Sequence, residues 1–226
     1  MANNNIKKNY IQIRASIPDN VKIVVAAKTQ STQSIKEVIE AGAKIIGENY
    51  VQEAQSVISK LGNLAKRVNW HMIGHLQTNK VKTAVRIFDM IETVDSLKLA
   101  VEIDRRCREI NKIMPILIEI NSGWERQKTG IFPEDCLNFI KSIYKLSNIK
   151  IMGLMTMGPR FGEPENSRKY FKETKKIFES LNRFNLSNVN MKYLSMGMSN
   201  TYRIAIEEGS NMVRPGSVIF GKRDYE

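Results

Sequence analysis

Short apolar runs alternate with longer stretches of helical spacing along the chain. Ile23–Ala27, Lys44–Ile46, Trp70–Ile73, Met90–Glu92, Ile116–Ile120, Lys150–Leu154, Met191–Leu194 and Asn211–Val213 read as buried parallel strands. The clearest helix is Thr32–Gly42. Thr32 or Ser34 can cap its start, Ile35, Val38 and Ile39 form an apolar stripe, and Gly42 stops it. Leu97–Ile110, Pro133–Leu146 and Ser167–Leu181 carry the same spacing, and Ile6–Ile17 reads as an extra helix ahead of the first strand. Strands that alternate with helices predict a parallel α/β fold. A closed (β/α)8 barrel of the TIM type, with an additional N-terminal helix, fits the number of strands better than an open doubly wound sheet, which shares the alternation. No Pro/Gly/Ser linker or low-complexity tract divides the chain, so one barrel domain is expected over 1–226, with the helix in 1–20 and the barrel in 21–226.

Composition narrows the class. The 226 residues are 42% hydrophobic and 26% charged, ordinary for a globular protein that needs no disulfide or metal staple. Cys107 and Cys136 lie in separate helical segments without Cys-x-x-Cys spacing, which predicts two unpaired thiols in a reducing compartment. No apolar stretch follows the early lysines Lys7 and Lys8, and none reaches the length of a membrane span, so a cytoplasmic location and no membrane partner are expected. The net charge of +12 raises a nucleic-acid reading. Yet the basic residues are dispersed, and Lys172, Lys175 and Lys176 sit beside Glu173 and Glu179 as on a solvated helix face. A basic nucleic-acid-binding module is therefore the weakest alternative, and no specific nucleic-acid partner is expected.

In a barrel, function gathers at the C-terminal ends of the strands. The first strand there runs into Lys28. A partly buried lysine can lose its proton and react with a carbonyl. After the seventh and eighth strands come Ser195-Met196-Gly197-Met198-Ser199-Asn200 and Arg214-Pro215-Gly216-Ser217. Backbone N–H groups and hydroxyls in such loops suit a phosphate, and Ser199 or Asn200 is expected to cap a helix over 201–208. A small molecule with both an aldehyde and a phosphate would use both ends, and pyridoxal 5′-phosphate is that molecule. Arg214 can only donate, so facing a pyridine nitrogen it would keep that nitrogen unprotonated and the ring a weak electron sink. His71 and His75 have a metal-like spacing, but the intervening Gly74 and the strand-to-loop placement spoil the geometry. No metal is expected, and His71 is read as lining the cofactor cavity.

Six segments carry a resemblance in order along the chain. They are Val25–Thr29, Gly47–Glu53, Trp70–Lys80, Gly153–Met157, Leu194–Ser199 and Val213–Gly221. Together they resemble the pyridoxal phosphate homeostasis proteins of the YggS/PROSC type, whose fold is like the N-terminal domain of alanine racemase. The match runs from about Lys22 to Tyr225. The resemblance implies that Lys28 carries pyridoxal 5′-phosphate as an internal aldimine and that Asn49 lies beside the ring. It further implies that Ser195, Met196 through its backbone, Ser199, Gly216 and Ser217 hold the phosphate, and that Arg214 faces the pyridine nitrogen. Thr201 replaces a usually acidic residue, which should favour an anion, and Pro215 replaces a branched aliphatic and removes one N–H. The function implied is reversible holding of the cofactor in vitamin B6 homeostasis, with delivery to apo-enzymes; a monomer is expected. The enzymatic alternative, an amino-acid racemase or decarboxylase, needs a second acid–base group that related racemases take from a further domain; no such domain is expected here, the chain ending at Glu226.

Overall fold

The computed structural model describes residues 5–125, 128–158, 162–183, 186 and 188–221. Residues 222–226, which include the end of the resemblance at Tyr225, and residues 1–4 lie outside that set. Eight parallel strands close into a barrel in sequence order. They are β1 (Lys22–Ala26), β2 (Ile45–Glu48), β3 (Asn69–Met72), β4 (Met90–Val94), β5 (Met114–Glu119), β6 (Ile149–Thr156), β7 (Val189–Met198) and β8 (Met212–Arg214). The pairing of Lys22 with Met212 and of Ile23 with Val213 joins β1 to β8. The expected (β/α)8 barrel is the observed fold.

Helices α1 (Ile6–Ala15), α2 (Thr32–Glu40), α3 (Val51–Leu61), α4 (Val81–Ile87), α5 (Leu97–Arg108), α6 (Cys136–Ile143), α7 (Arg168–Leu181), α8 (Tyr202–Glu207) and α9 (Ser217–Phe220) follow the strands or, for α1, precede them. α1 buries Ile6, Tyr10 and Ile13, and Asn9 Nδ2 ties it to the carbonyl of Ile219 at 3.0 Å. The cap of α2 is Ser31, not Thr32 or Ser34. The Ser31 hydroxyl accepts from the Ser34 N–H at 3.0 Å, and Gly42 (φ +105°) stops the helix in the left-handed conformation that glycine adopts without strain. The segment that opens with Pro133 makes a 3-10 turn before α6, and that around Ser167 does so before α7. Cys107 and Cys136 are buried unpaired thiols.

Alternation along the strands builds two cores. Ile23, Val25 and Ala27 of the first strand region pack outward with the helices. Val24, Ile45, Ile73, Met90, Leu117, Met155 and Met212 form a separate cluster that fills the barrel. Gly47 belongs to this inner face, because a Cβ there would lie 2.7 Å from Ile73 Cδ1 and 2.8 Å from Val24 Cγ1. Among the described residues, no helix is long and apolar enough to cross a membrane.

Candidate functional site

The inner face turns polar two residues beyond the apolar cluster. Met90 is followed at that spacing by Glu92, Leu117 by Glu119 and Met212 by Arg214, so one period of the pleat carries each charge into the barrel toward its C-terminal end. These charges are almost fully buried, Glu92 at 0% exposure, Glu119 at 3% and Arg214 at 3%. Buried charges persist only when partnered, and Glu92 is the hub of such a partnership. Its Oε1 lies 2.7 Å from His71 Nδ1. Its Oε2 accepts from the Ser195 hydroxyl at 2.7 Å. Arg214 Nη1 donates to that same hydroxyl at 2.5 Å and lies 3.9 Å from Glu92 Oε2, while Nη2 donates to the Thr156 carbonyl at 2.8 Å.

Electrostatics follow the geometry. Burial alone would raise the Glu92 carboxyl. The His71 hydrogen bond and charge, the Arg214 charge and the Ser195 hydroxyl outweigh burial and hold it below the ordinary carboxylate value. Burial pulls the Arg214 guanidinium down, opposed by Glu92 and Glu119. Glu119 has no such hub. Burial, reinforced by the charge of Asp95, pushes it up to about 7. Thr129 donates to its Oε1 at 3.2 Å, and its buried Oε2 has no hydrogen-bond partner among the described residues.

The second half of the site is a junction of loops. The Ser199 hydroxyl accepts from the N–H of Gly216 at 3.0 Å and of Val218 at 3.3 Å, which draws the end of β7 against the start of α9. This corrects the expected cap: α8 begins at Tyr202 with Thr201 at its N-cap position, and neither Ser199 nor Asn200 caps it. Thr201 instead accepts from the Met198 N–H at 3.0 Å through its hydroxyl. Gly216 must be small, since a Cβ there would lie 2.9 Å from the Ala26 carbonyl oxygen. The Pro215 carbonyl accepts from the Ala26 N–H at 2.9 Å. The Arg214–Ser217 loop thus rests on the end of β1, two residues before Lys28. Thr29, next to Lys28, has φ +64°, a conformation uncommon outside glycine, and its N–H donates to Glu53 Oε2 at 3.2 Å. Asn49 follows β2 on the neighbouring side, where the Ala27 N–H donates to the Gly47 carbonyl at 2.8 Å. Gly74 packs on the Asn49 backbone so closely that a Cβ would lie 2.5 Å from its carbonyl oxygen.

The residues singled out from sequence therefore fall into two groups. Lys28, Asn49, Ser199, Gly216 and Ser217 surround the mouth at the ends of β1, β2, β7 and β8. Ser195, His71 and Arg214 form the buried network beneath it. The Ser195 hydroxyl is engaged by Glu92 and Arg214 and fully buried. Met196 sits inside β7 opposite Thr156, with its side chain in the outer core and its carbonyl accepting from Ser210 Oγ at 3.2 Å. His75 is apart from His71, exposed, with Nδ1 3.5 Å from Asp95. Glu92 and Glu119 escaped the sequence reading. The signal was available, since Glu92 and Glu119 are isolated carboxylates within apolar strands.

Residues 2–224 match the family described as alanine racemase, N-terminal domain. The pyridoxal phosphate homeostasis protein of Aquifex aeolicus is 39% identical over 204 residues, 90% of this chain and 88% of that protein. That of Synechocystis is 36% identical over 214 residues, 95% of this chain and 97% of that one. Among solved structures, PipY of Synechococcus elongatus PCC7942 with PLP bound superposes with a TM-score of 0.87 at 29% identity, covering 96% of this chain and 100% of PipY. Alanine racemase of Clostridium difficile shares the fold at a TM-score of 0.80 and 17% identity, with 98% of this chain covering 58% of the racemase. By fold and by the length of these matches, the chain belongs to the pyridoxal phosphate homeostasis proteins of the alanine racemase N-terminal-domain family.

Proposed function

We propose that the protein holds pyridoxal 5′-phosphate reversibly at the barrel mouth, attached covalently through Lys28, and so limits free reactive aldehyde in the cytoplasm. The observation that carries this reading is the seating of the Arg214–Ser217 loop on β1, which brings a phosphate-type cup and the strand leading to Lys28 together. The residues fit the group. Glycine at 216 lets the loop lie directly against β1, and the Ser199 hydroxyl brings the N–H groups of Gly216 and Val218 to the same junction. PipY, a structural relative, has been solved with PLP bound, and buried unpaired thiols accord with a reducing compartment.

When bound, the cofactor would supply an electrophilic aldehyde on a conjugated pyridine ring. Lys28 would provide the amine. Ser199, Gly216, Ser217 and the backbone of Met196 would hold the phosphate, and Asn49 would flank the ring. Arg214 would donate to the ring nitrogen, with its orientation fixed by Ser195 and Thr156. A permanent donor there leaves the nitrogen unprotonated, which suits holding the cofactor better than carbanion chemistry. His71 would act beneath the ring, through Glu92 and Ser195, on the direction of Arg214. Handover to apo-enzymes would occur at the same mouth, where Tyr50, Trp124 and Met157 are exposed.

A racemase or decarboxylase reading has one observation in its favour. Glu119 ends β5, across the closed barrel from β1, with one oxygen unpartnered among the described residues and its carboxyl pushed up to about 7 by burial. Titration of the purified protein with pyridoxal 5′-phosphate, followed by its visible absorption band, tests the binding. Incubation of the loaded protein with L-alanine in deuterated water then tests catalysis. Saturable binding without deuterium at Cα supports the carrier, and rapid exchange abolished by Glu119→Gln would establish the enzyme.

A further inference from the structure

The opposite end of the barrel holds a cavity of about 200 Å3 between the N-terminal ends of the strands. Its solvent-facing rim carries Lys22 at the start of β1, Asn69 at the start of β3 and Asp89 just before β4. Its floor is apolar, made by Ile45, Met90 and Met212. The Asp89 carboxylate is oriented through Oδ2, which accepts from the Trp70 N–H at 2.8 Å. Lys22 forms no ion pair among the described residues, and its Nζ lies 5.9 Å from the Tyr193 ring centroid. A fixed anion and a cation thus flank one apolar floor. A simple anion would meet Asp89, and a simple cation would meet Lys22. A zwitterion satisfies both, with its apolar part on Ile45, Met90 and Met212.

The inner wall of this cavity is His71. The same imidazole holds Glu92 at 2.7 Å, Glu92 holds Ser195 at 2.7 Å, and Ser195 holds Arg214 at 2.5 Å. Every link is a buried hydrogen bond of normal or short length, so a change at His71 cannot be absorbed by slack or by water. We propose that this cavity binds a free aliphatic α-amino acid, with its carboxylate on Lys22 and its ammonium on Asp89, and that occupancy is felt at Arg214 through His71, Glu92 and Ser195. The second half of the proposal rests on the cofactor reading above. It would let a carrier of an amino-acid-processing cofactor respond to the amino-acid supply.

Calorimetric titration of cofactor-free protein with L-leucine tests the site. Isocaproate, which lacks the ammonium, and isoamylamine, which lacks the carboxylate, are the matched controls. Leucine should bind, and each control should bind at least about tenfold more weakly, the worth of one charge-assisted hydrogen bond. Lys22→Met, which keeps the stem, and Asp89→Asn, which keeps the acceptor for Trp70, should each cost leucine a similar factor, with unchanged circular dichroism. Absence of leucine binding, or equal binding of either control, would overturn the site. Linkage is read with pyridoxine 5′-phosphate, whose alcohol cannot condense with Lys28 or with leucine. Saturating leucine should change its dissociation constant at least about fivefold. An unchanged constant would overturn the linkage alone. Failure of pyridoxine 5′-phosphate to bind would overturn the cofactor reading and the linkage with it, and the leucine titration would still decide the cavity.

Discussion

Glu92→Gln isolates the charge at the centre of the barrel. The substitution keeps the size of the side chain and one acceptor oxygen, but removes the negative charge 3.9 Å from Arg214 Nη1. At that separation and an effective dielectric constant of about 20, the lost attraction is about 4 kcal/mol. Breaking a buried ion pair by removing one partner costs about 3–5 kcal/mol, because the remaining charge is stranded, and the two figures agree. Arg214 is 3% exposed, so water cannot replace the lost carboxylate. The new amide also presents a donor toward either His71 or Ser195, where the carboxylate only accepted. For a chain of this size each kcal/mol moves Tm by about 2–4 °C, so a fall of roughly 8–16 °C is expected. Urea unfolding of wild type, Glu92→Gln, Arg214→Met and the double variant gives the coupling directly. The double variant should be less destabilised than the sum of the single ones by about 2 kcal/mol or more, since removing both charges strands neither. A loss below about 1 kcal/mol in Glu92→Gln, or strict additivity in the cycle, would refute the hub.

Glu48 is buried at the end of β2, and burial followed by the Glu53 charge raises its carboxyl to about 8. The folded state then binds this proton more tightly than the unfolded chain, so stability should fall as pH rises from about 4.5 to about 8, by an order of a few kcal/mol; urea midpoints across that window should flatten in Glu48→Gln. Glu92 has the opposite sign: its lowered carboxyl contributes stability above the unfolded value, lost as pH falls below about 4.5, and Glu92→Gln should blunt acid unfolding. Gly216→Ala places a Cβ 2.9 Å from the Ala26 carbonyl and should cost about 1–3 kcal/mol in thermal or urea unfolding. It should also weaken pyridoxal 5′-phosphate binding by opening the junction beside Lys28. Ser199→Ala leaves the N–H groups of Gly216 and Val218 without their acceptor and should lower affinity for pyridoxine 5′-phosphate roughly tenfold, measured by calorimetry, while leaving Lys28 able to react.

The barrel was legible because its strands are buried on both faces and so appear as continuous apolar runs, interrupted by helices with a clear stripe. The mouth was legible in part, since the loops after β7 and β8 lie where barrels of this kind bind phosphate. The reading failed where tertiary contacts override local signals. β7 runs on through Ser195 to Met198, past the expected end at Leu194, because its pairing with β6 continues in register to Met196 and its pairing with β8 reaches Met198 through a register shift around Gly197 (φ +86°). Ser199 looks like a helix cap in sequence, yet its hydroxyl is taken by the N–H groups of Gly216 and Val218, far along the chain. Ser195 looks like a loop hydroxyl, but an inward-facing position in a longer strand commits it to Glu92 and Arg214. Glu92 itself could be noticed as a charge among apolar residues, but its partners His71, Ser195 and Arg214 come from three other strands, and only closure of the barrel brings them together.

The most direct test of the central claim is reduction with borohydride of protein loaded with pyridoxal 5′-phosphate, followed by peptide mass mapping. A visible band that bleaches on reduction and one dominant phosphopyridoxyl adduct, on Lys28, are expected. A band that persists in Lys28→Ala, or a dominant adduct on a different lysine, would contradict it.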